Sequence, residues 1–209
     1  MAKSEKLDLY KEHKAEYAAS KSKPALVDTG PALYLTIEGQ GEPGNEVFQT
    51  AVGAMYGVAF TIKMTRKFAG KGDYKVCHLE GLWWHKTRRS GFMGAPRREW
   101  RWKLMIRVPD FIGADDLAEA RQALAANGKG PEINQVKLER IEEGPCVQML
   151  HVGPFAEEPR TIKAMRELAA AEGLTFRGRH HGIYLSDLRR VPPERLRILL
   201  RHPVRPRRR

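Results

Sequence analysis

The order strand, helix, strand, strand occurs twice along this chain of 209 residues, and this repetition limits the folds open to it. In each half a glycine turn and an acid–proline pair precede the helix. Residue periodicity predicts, in the first half, a strand and glycine turn at 32–43, a helix at 45–67 and strands at 74–84 and 98–108. In the second half it predicts a strand and turn at 146–155, a helix at 157–173 and a strand at 176–187, and the last element is 193–204. We infer an internal duplication of a βαββ unit.

A duplicated βαββ unit predicts the α+β class. The two halves are expected to form one antiparallel sheet, with two long helices on one face and a ligand cleft between the helices. The expected organisation is an N-terminal extension (1–31), a domain (32–204) with repeats at about 32–109 and 146–204 and a helical linker at 115–128, and a basic tail (205–209). Within residues 193–204 a strand is expected by analogy with 98–108, although Pro193 followed by Glu194 also suits a helix start.

Composition excludes several classes of protein. No apolar run reaches the roughly 18 residues that a membrane span needs, and the charged N-terminus lacks the apolar core of a signal peptide. A cytoplasmic protein is therefore expected. Cys77 and Cys146 form no CxxC pair, so they are interpreted as buried strand residues, and neither a metal nor a cofactor is expected.

The net charge of +12 suggests nucleic-acid binding, but its distribution weakens that interpretation. Residues 195–209 contain seven arginines and no acid, so +5 remains for the rest of the chain. Nucleic acid is expected to bind at most weakly, through the basic tail at 205–209. A transcription regulator is disfavoured, because no DNA-reading domain fits before residue 32.

The stretch LEGLWW (79–84) combines a carboxylate with two tryptophans. On an alternating strand, Glu80, Leu82 and Trp84 share one face, and Gly81 and Trp83 share the other. A carboxylate near exposed aromatic rings suits a flat or cationic ligand. Two core tryptophans and a solvated glutamate explain the same pattern equally well.

The stretch HHGIYLSD (180–187) places an isolated glycine inside a predicted strand. His180 and His181 point to opposite faces and do not readily chelate one metal ion. His180, Gly182 and Tyr184 share a face, and a lone strand glycine indicates a bulge or the close approach of a ligand.

Four strings together resemble the stand-alone GyrI-like small-molecule-binding proteins: YLTIEGQGEP, LEGLWW, LHVGPFAEEPRTI and HHGIYLSDLRRVPPERL. The resemblance runs from about residue 7 to residue 204. It implies the duplicated βαββ fold and an aromatic-lined cleft for xenobiotics. Some members of the family hydrolyse cyclopropanoid cyclopentenone genotoxins by opening the cyclopropane ring with water. Haem binding, which related folds suggest, rests here only on loose histidines.

One position departs from the family. The family usually reads HHEIYLSD, with the glutamate facing the cleft, whereas this chain has Gly182. The substitution removes a charge that favours cationic ligands and the obvious general base.

Two functional hypotheses follow from the residues and the resemblance. The first is a binding module for flat, hydrophobic or cationic molecules, with ligand-binding residues Tyr56, Trp83, Trp102, His151, Phe155 and Gly182. The second is a hydrolase of a strained ring. In the hydrolase, Glu80 would position or deprotonate water, and Tyr184 or His180 would hydrogen-bond the carbonyl that gains charge.

Overall fold

The computed structural model describes residues 6–87, 92–187 and 189–207. The strands are β1 (Ala25–Thr29), β2 (Ala32–Gln40), β3 (Glu80–Trp84), β4 (Arg101–Val108), β5 (Lys137–Ile141), β6 (Gly144–Val152), β7 (Leu174–Phe176), β8 (His180–Tyr184) and β9 (Arg197–Pro206). The α-helices are α1 (Leu9–Glu12), α2 (Lys14–Tyr17), α3 (Glu46–Phe68), α4 (Ala114–Ala126) and α5 (Glu158–Ala171). The strands pair antiparallel, so the α+β class is confirmed.

The predicted order of elements recurs in the two halves. The first half runs β2, α3, β3, β4, and the second runs β6, α5, β8, β9, with the short β7 added before β8. The last element is a strand, as the repeat predicts, since Pro193 opens only a single 3-10 turn before β9. Asn45 caps α3 by accepting a hydrogen bond from the Phe48 amide at 2.9 Å.

Sequence periodicity missed three short strands and overestimated two, at 74–84 and at 176–187, where β8 contains only His180–Tyr184. The strands β1, β5 and β7 lack clear alternation. Of the predicted strand at 74–84 only Glu80–Trp84 forms, because the backbone before it hydrogen-bonds to Leu7 and Tyr10 instead. The Lys75 amide donates to the Leu7 carbonyl at 2.8 Å, and the His78 amide donates to the Tyr10 hydroxyl at 3.0 Å.

The chain divides into two compact units. Unit 1 contains the described residues within 1–12, 32–79 and 84–141, and its strands lie in the order β4, β2, β5. Trp102 of β4 is opposite Gly39 of β2, and its fully buried ring covers that glycine. The Phe48 ring packs edge-on against Trp102 at 5.3 Å between centroids.

Unit 2 contains the described residues within 13–31, 80–83 and 142–209. Its strands lie in the order β1, β6, β9, β8, β3, and β7 also pairs with β9. Helix α5 packs its apolar row against these strands and closes a core. That core contains Val147, Met149, Met165, Ala169, Ile198, Leu200 and Val204. The predicted cleft between the two long helices stays a prediction.

No helix among the described residues is long and apolar enough to cross a membrane.

The contact between Gly39 and Trp102 gives a stability prediction. A Cβ at Gly39 would lie 2.1 Å from the indole ring, so Gly39→Ala is expected to lower the free energy of unfolding by about 1–3 kcal/mol or more. Gly53 of α3 is exposed, with nothing within 4 Å of its Cβ position. The matched control Gly53→Ala should therefore raise stability by up to about 1 kcal/mol. Urea denaturation measures the free energy of unfolding of both variants. Equal values would contradict the close contact between Gly39 and Trp102.

Candidate functional site

The pairing of β3 with β8 creates two chemically different faces. In their antiparallel register Gly81 is opposite Gly182 and Trp83 is opposite His180. Directly opposed residues point to the same face. We call one side the glycine face: Gly81, Trp83, His180, Gly182 and Tyr184. The other is the ionic face: Glu80, Leu82, His181 and Ile183.

The glycine face brings two aromatic side chains over two adjacent glycines. The Trp83 Nε1–H donates to the Tyr184 hydroxyl at 2.8 Å. A Cβ at Gly81 would lie 2.8 Å from that indole nitrogen, so Gly81 makes room for the Trp83–Tyr184 pair. A Cβ at Gly182 would meet the Tyr184 hydroxyl at 3.5 Å, an ordinary contact. Gly182 therefore has room for a Cβ atom that it does not carry.

Glu158, the first residue of α5, lies near the same face. It is 6% exposed, and its Oε2 is 4.0 Å from His180 Nε2. Burial raises the pKa of the Glu158 carboxyl to about 8. Burial also lowers the pKa of His180 to about 3, helped by His202 and His181. At neutral pH both Glu158 and His180 are therefore predominantly uncharged.

Sequence reasoning noted Glu158 only as part of the acid–proline pair and missed it as a site residue. Helical periodicity could have revealed Glu158 as a buried residue. Glu158 begins a row that continues through Thr161, Met165 and Ala169, all of them buried. An acid at the head of an apolar helix row is a candidate for burial and hence for a shifted pKa.

The ionic face carries a buried set of compensating charges. His181 Nε2 donates to Glu80 at 2.9 Å, and its Nδ1 donates to Glu143 at 2.8 Å. Because both partners are carboxylates, both ring nitrogens carry protons and His181 is cationic. Arg201 Nη1 lies 3.7 Å from the same Glu143 oxygen. The charges of two carboxylates and two cations therefore balance in a buried network, in which Glu80 is 0% exposed.

Residues 13–20 contribute partners to this network. The Arg201 Nη2 donates to the Glu16 carbonyl, and the Tyr17 hydroxyl donates to Glu80 at 3.5 Å. Buried donors without partners are costly, so these contacts stabilise the network.

The three residues proposed for catalysis do not meet. Glu80 lies on the ionic face, whereas Tyr184 and His180 lie on the glycine face. The reason is the register, which places Glu80 opposite Ile183 rather than Gly182. The Glu80 carboxylate is also ion-paired with His181. Glu80 therefore lies on the face opposite to that of Gly182, and the catalytic roles of Glu80, Tyr184 and His180 stay predictions.

The predicted ligand-binding residues divide between the two units. Tyr56 and Trp102 belong to unit 1. Tyr56 is half-buried and stacks on Phe60 at 6.2 Å, whereas Trp102 is fully buried in the core. The other four, Trp83, His151, Phe155 and Gly182, belong to unit 2.

Phe155 and His151 lie at the turn before α5. Phe155 is 43% exposed and meets Tyr184 edge-on, with centroids 6.3 Å apart. Both nitrogens of His151 are hydrogen-bonded within the turn: Nε2 donates to the Pro154 carbonyl at 3.1 Å, and Nδ1 accepts from the Thr161 hydroxyl at 2.9 Å. His151 therefore orders the turn that presents Phe155.

Unit 2 also contains a hollow of about 530 Å³ between β6 and α5. Lys21, Met149, Arg160 and Thr161 are among the residues that line it, and none of the predicted site residues does. Within residues 6–87, 92–187 and 189–207 no group of three or more His, Cys, Asp or Glu side chains is arranged to hold a metal ion.

Comparison with known proteins identifies related chains. A family model described as "GyrI-like small molecule binding domain" matches residues 23–205. An uncharacterized conserved protein from Listeria innocua is 38% identical, with a TM-score of 0.89 over 96% of this chain and 100% of that one. A hydrolase from Listeria innocua is 36% identical, with a TM-score of 0.85 and the same coverage. The C-terminal domain of EcmrR shares only the fold, at 9% identity and a TM-score of 0.58 over 88% of this chain and 98% of that one. No curated protein matched the sequence.

The pKa values of His180 and His181 should be shifted in opposite directions, because the two side chains lie on opposite faces. Burial lowers the pKa of His181, but Glu143 and Glu80 outweigh it and raise that pKa to about 9, whereas the pKa of His180 falls to about 3. Imidazole NMR measures both. Glu143→Gln should lower the pKa of His181, while Glu142→Gln should leave it unchanged.

The raised pKa of His181 also affects stability. The folded value of about 9 exceeds the ordinary 6.5, so the stabilisation is complete below pH 6.5 and is lost as pH rises through 9. The loss is on the order of 3 kcal/mol at most. A His181 signal that titrates near 6.5 would contradict the network.

Proposed function

The chain belongs to the family of GyrI-like small molecule binding domains, as its sequence predicted, and we propose that it binds flat, hydrophobic molecules at the glycine face of unit 2. The observation that supports this most directly is the pairing of Gly81 with Gly182 beside the Trp83–Tyr184 aromatic pair. The Trp83–Tyr184 pair fills the space beside Gly81, whereas a ligand group can approach the backbone at Gly182, and the aromatic rings offer it stacking and edge contacts.

The charge state of this face favours uncharged ligands. Glu158 is mostly protonated at neutral pH, and His180 is neutral. Glu80, the carboxylate that would attract a cation, points to the other face and is balanced by His181. Binding of cations would therefore be weaker than in a relative with a glutamate in place of Gly182.

Substitution at Gly182 tests both the place of binding and the charge preference. Gly182→Glu is expected to strengthen binding of N-methylacridinium by about tenfold and to leave anthracene binding little changed, because a carboxylate favours the cation. Calorimetric or fluorescence titration measures both dissociation constants.

Gly182→Gln is the matched control, because it adds the same bulk without the charge. Gly182→Gln should not bind N-methylacridinium more tightly than wild type does. The proposed function is wrong if neither N-methylacridinium nor anthracene binds to any of the three proteins.

A hydrolase is the second candidate, favoured by the 36% identical Listeria protein described as a hydrolase and by the family resemblance. In ring opening, the oxygen of water bonds to a cyclopropane carbon as a carbon–carbon bond breaks. The electron pair of that bond moves into the conjugated carbonyl, whose oxygen gains a proton while the water loses one to solvent. The Tyr184 hydroxyl is the donor that would stabilise the charge developing on the carbonyl.

The hydrolase predicts conversion of a cyclopropanoid cyclopentenone to a product heavier by one water, detected by mass spectrometry. Tyr184→Phe should lower kcat on the order of 100-fold, because it removes the hydroxyl donor and keeps the ring. Tyr17→Phe is the control, since the Tyr17 hydroxyl contacts Glu80 on the ionic face. Equal kcat for Tyr184→Phe and wild type would exclude this role. Turnover by Gly182→Glu alone would indicate an activity lost with the family glutamate.

A further inference from the structure

We propose that the Glu158 carboxyl and the Tyr184 hydroxyl act as paired hydrogen-bond donors, which hold the carbonyl oxygen of an uncharged ligand at the glycine face. This inference rests on the proposed binding function and deepens it by naming the chemical class of the ligand: a flat, neutral molecule that carries a carbonyl group.

The first observation is a buried acid without a hydrogen bond. The Glu158 side chain is 9% exposed, and no donor among the described residues hydrogen-bonds to it. Its neighbour His180 Nε2, at 4.0 Å, is too distant for a hydrogen bond. A buried carboxylate without a partner is costly, so the group retains its proton, in agreement with its pKa of about 8. A protonated carboxyl presents an O–H donor.

The second observation concerns the hydroxyl of Tyr184. This oxygen accepts a hydrogen bond from Trp83 Nε1, which fixes its position. No acceptor for the Tyr184 proton occurs among the described residues, so the proton is available to a ligand. Burial raises the pKa of Tyr184, and the charge of Glu158 raises it further. The phenol therefore stays protonated. Both donors border the same pair of opposed residues on the glycine face, because His180 lies 4.0 Å from Glu158 and Trp83, which is opposite His180, contacts the Tyr184 hydroxyl.

A carbonyl oxygen has two lone pairs, so it can accept a hydrogen bond from each of the two donors. A tyrosine hydroxyl paired with a protonated carboxyl is an established way to bind such an oxygen in an apolar site. A ligand without the oxygen would leave both buried donors unpaired, and that cost produces selectivity. Gly182 lacks a side chain beside the Tyr184 hydroxyl, and the flat part of the ligand would lie there.

The test compares 9-fluorenone with fluorene, which share a flat tricyclic frame and differ in the carbonyl. Equilibrium dialysis at equal free concentrations measures how much of each is bound. Glu158→Leu and Tyr184→Phe should each weaken fluorenone binding by about threefold to tenfold and leave fluorene binding nearly unchanged, because each removes one donor. Glu158→Gln retains an N–H donor and should preserve more fluorenone binding than Glu158→Leu does.

Glu157→Leu is the matched control, because Glu157 is the neighbouring acid and is half exposed. It should leave the preference for fluorenone unchanged. If neither compound binds to wild type, the proposed function fails. If both bind and Glu158→Leu and Tyr184→Phe leave their ratio unaltered, the donor pair is overturned while the binding function stands. Glu158→Gln that behaves like Glu158→Leu would likewise overturn hydrogen-bond donation by Glu158.

Discussion

The buried hydrogen bond between Glu80 and His181 joins two strands whose residues are 101 positions apart in the chain. Glu143 and Arg201 complete the charge balance around it. Removing one member of such a set would leave an uncompensated buried charge, which typically costs 3–5 kcal/mol. The network therefore strongly favours one register between β3 and β8, and that register decides which side chains lie on the glycine face.

Alternation along the strands then separates two environments within a few ångströms. On the ionic face His181 lies between two carboxylates and is cationic. One residue earlier, His180 points to the opposite side and stays neutral, since burial and the nearby His202 and His181 lower its pKa. The same separation makes Glu158 a neutral acid while Glu80 is held in an ion pair. The buried charge network and the proposed ligand-binding surface thus lie on opposite faces of the same two strands.

The N-terminal segment belongs to this arrangement, although the family match begins at residue 23. Glu16 offers a carbonyl to Arg201, and Ala18 offers one to Gln148 at 2.8 Å. Farther along, β1 pairs with β6 at the edge of the unit 2 strands. Buried polar groups of the ionic face thus obtain part of their hydrogen bonds from residues that carry no recognisable motif.

The sequence by itself determined the repeated order of elements, the cap at Asn45 and the alternation within β3 and β8, because each depends on residues close together in the chain. It did not reveal β1, β5 and β7, which have little pattern of their own and form by pairing with other strands. Nor did it reveal the partner of Glu80, since strand register over a hundred residues is a property of the packed chain. The sequence predicted the helix at 157–173, but only packing decided that Glu158 in its first turn is buried. For Gly182 the sequence showed a missing side chain, and the tertiary structure decided what surrounds that position: the Tyr184 hydroxyl and an Ile198 methyl group within contact distance.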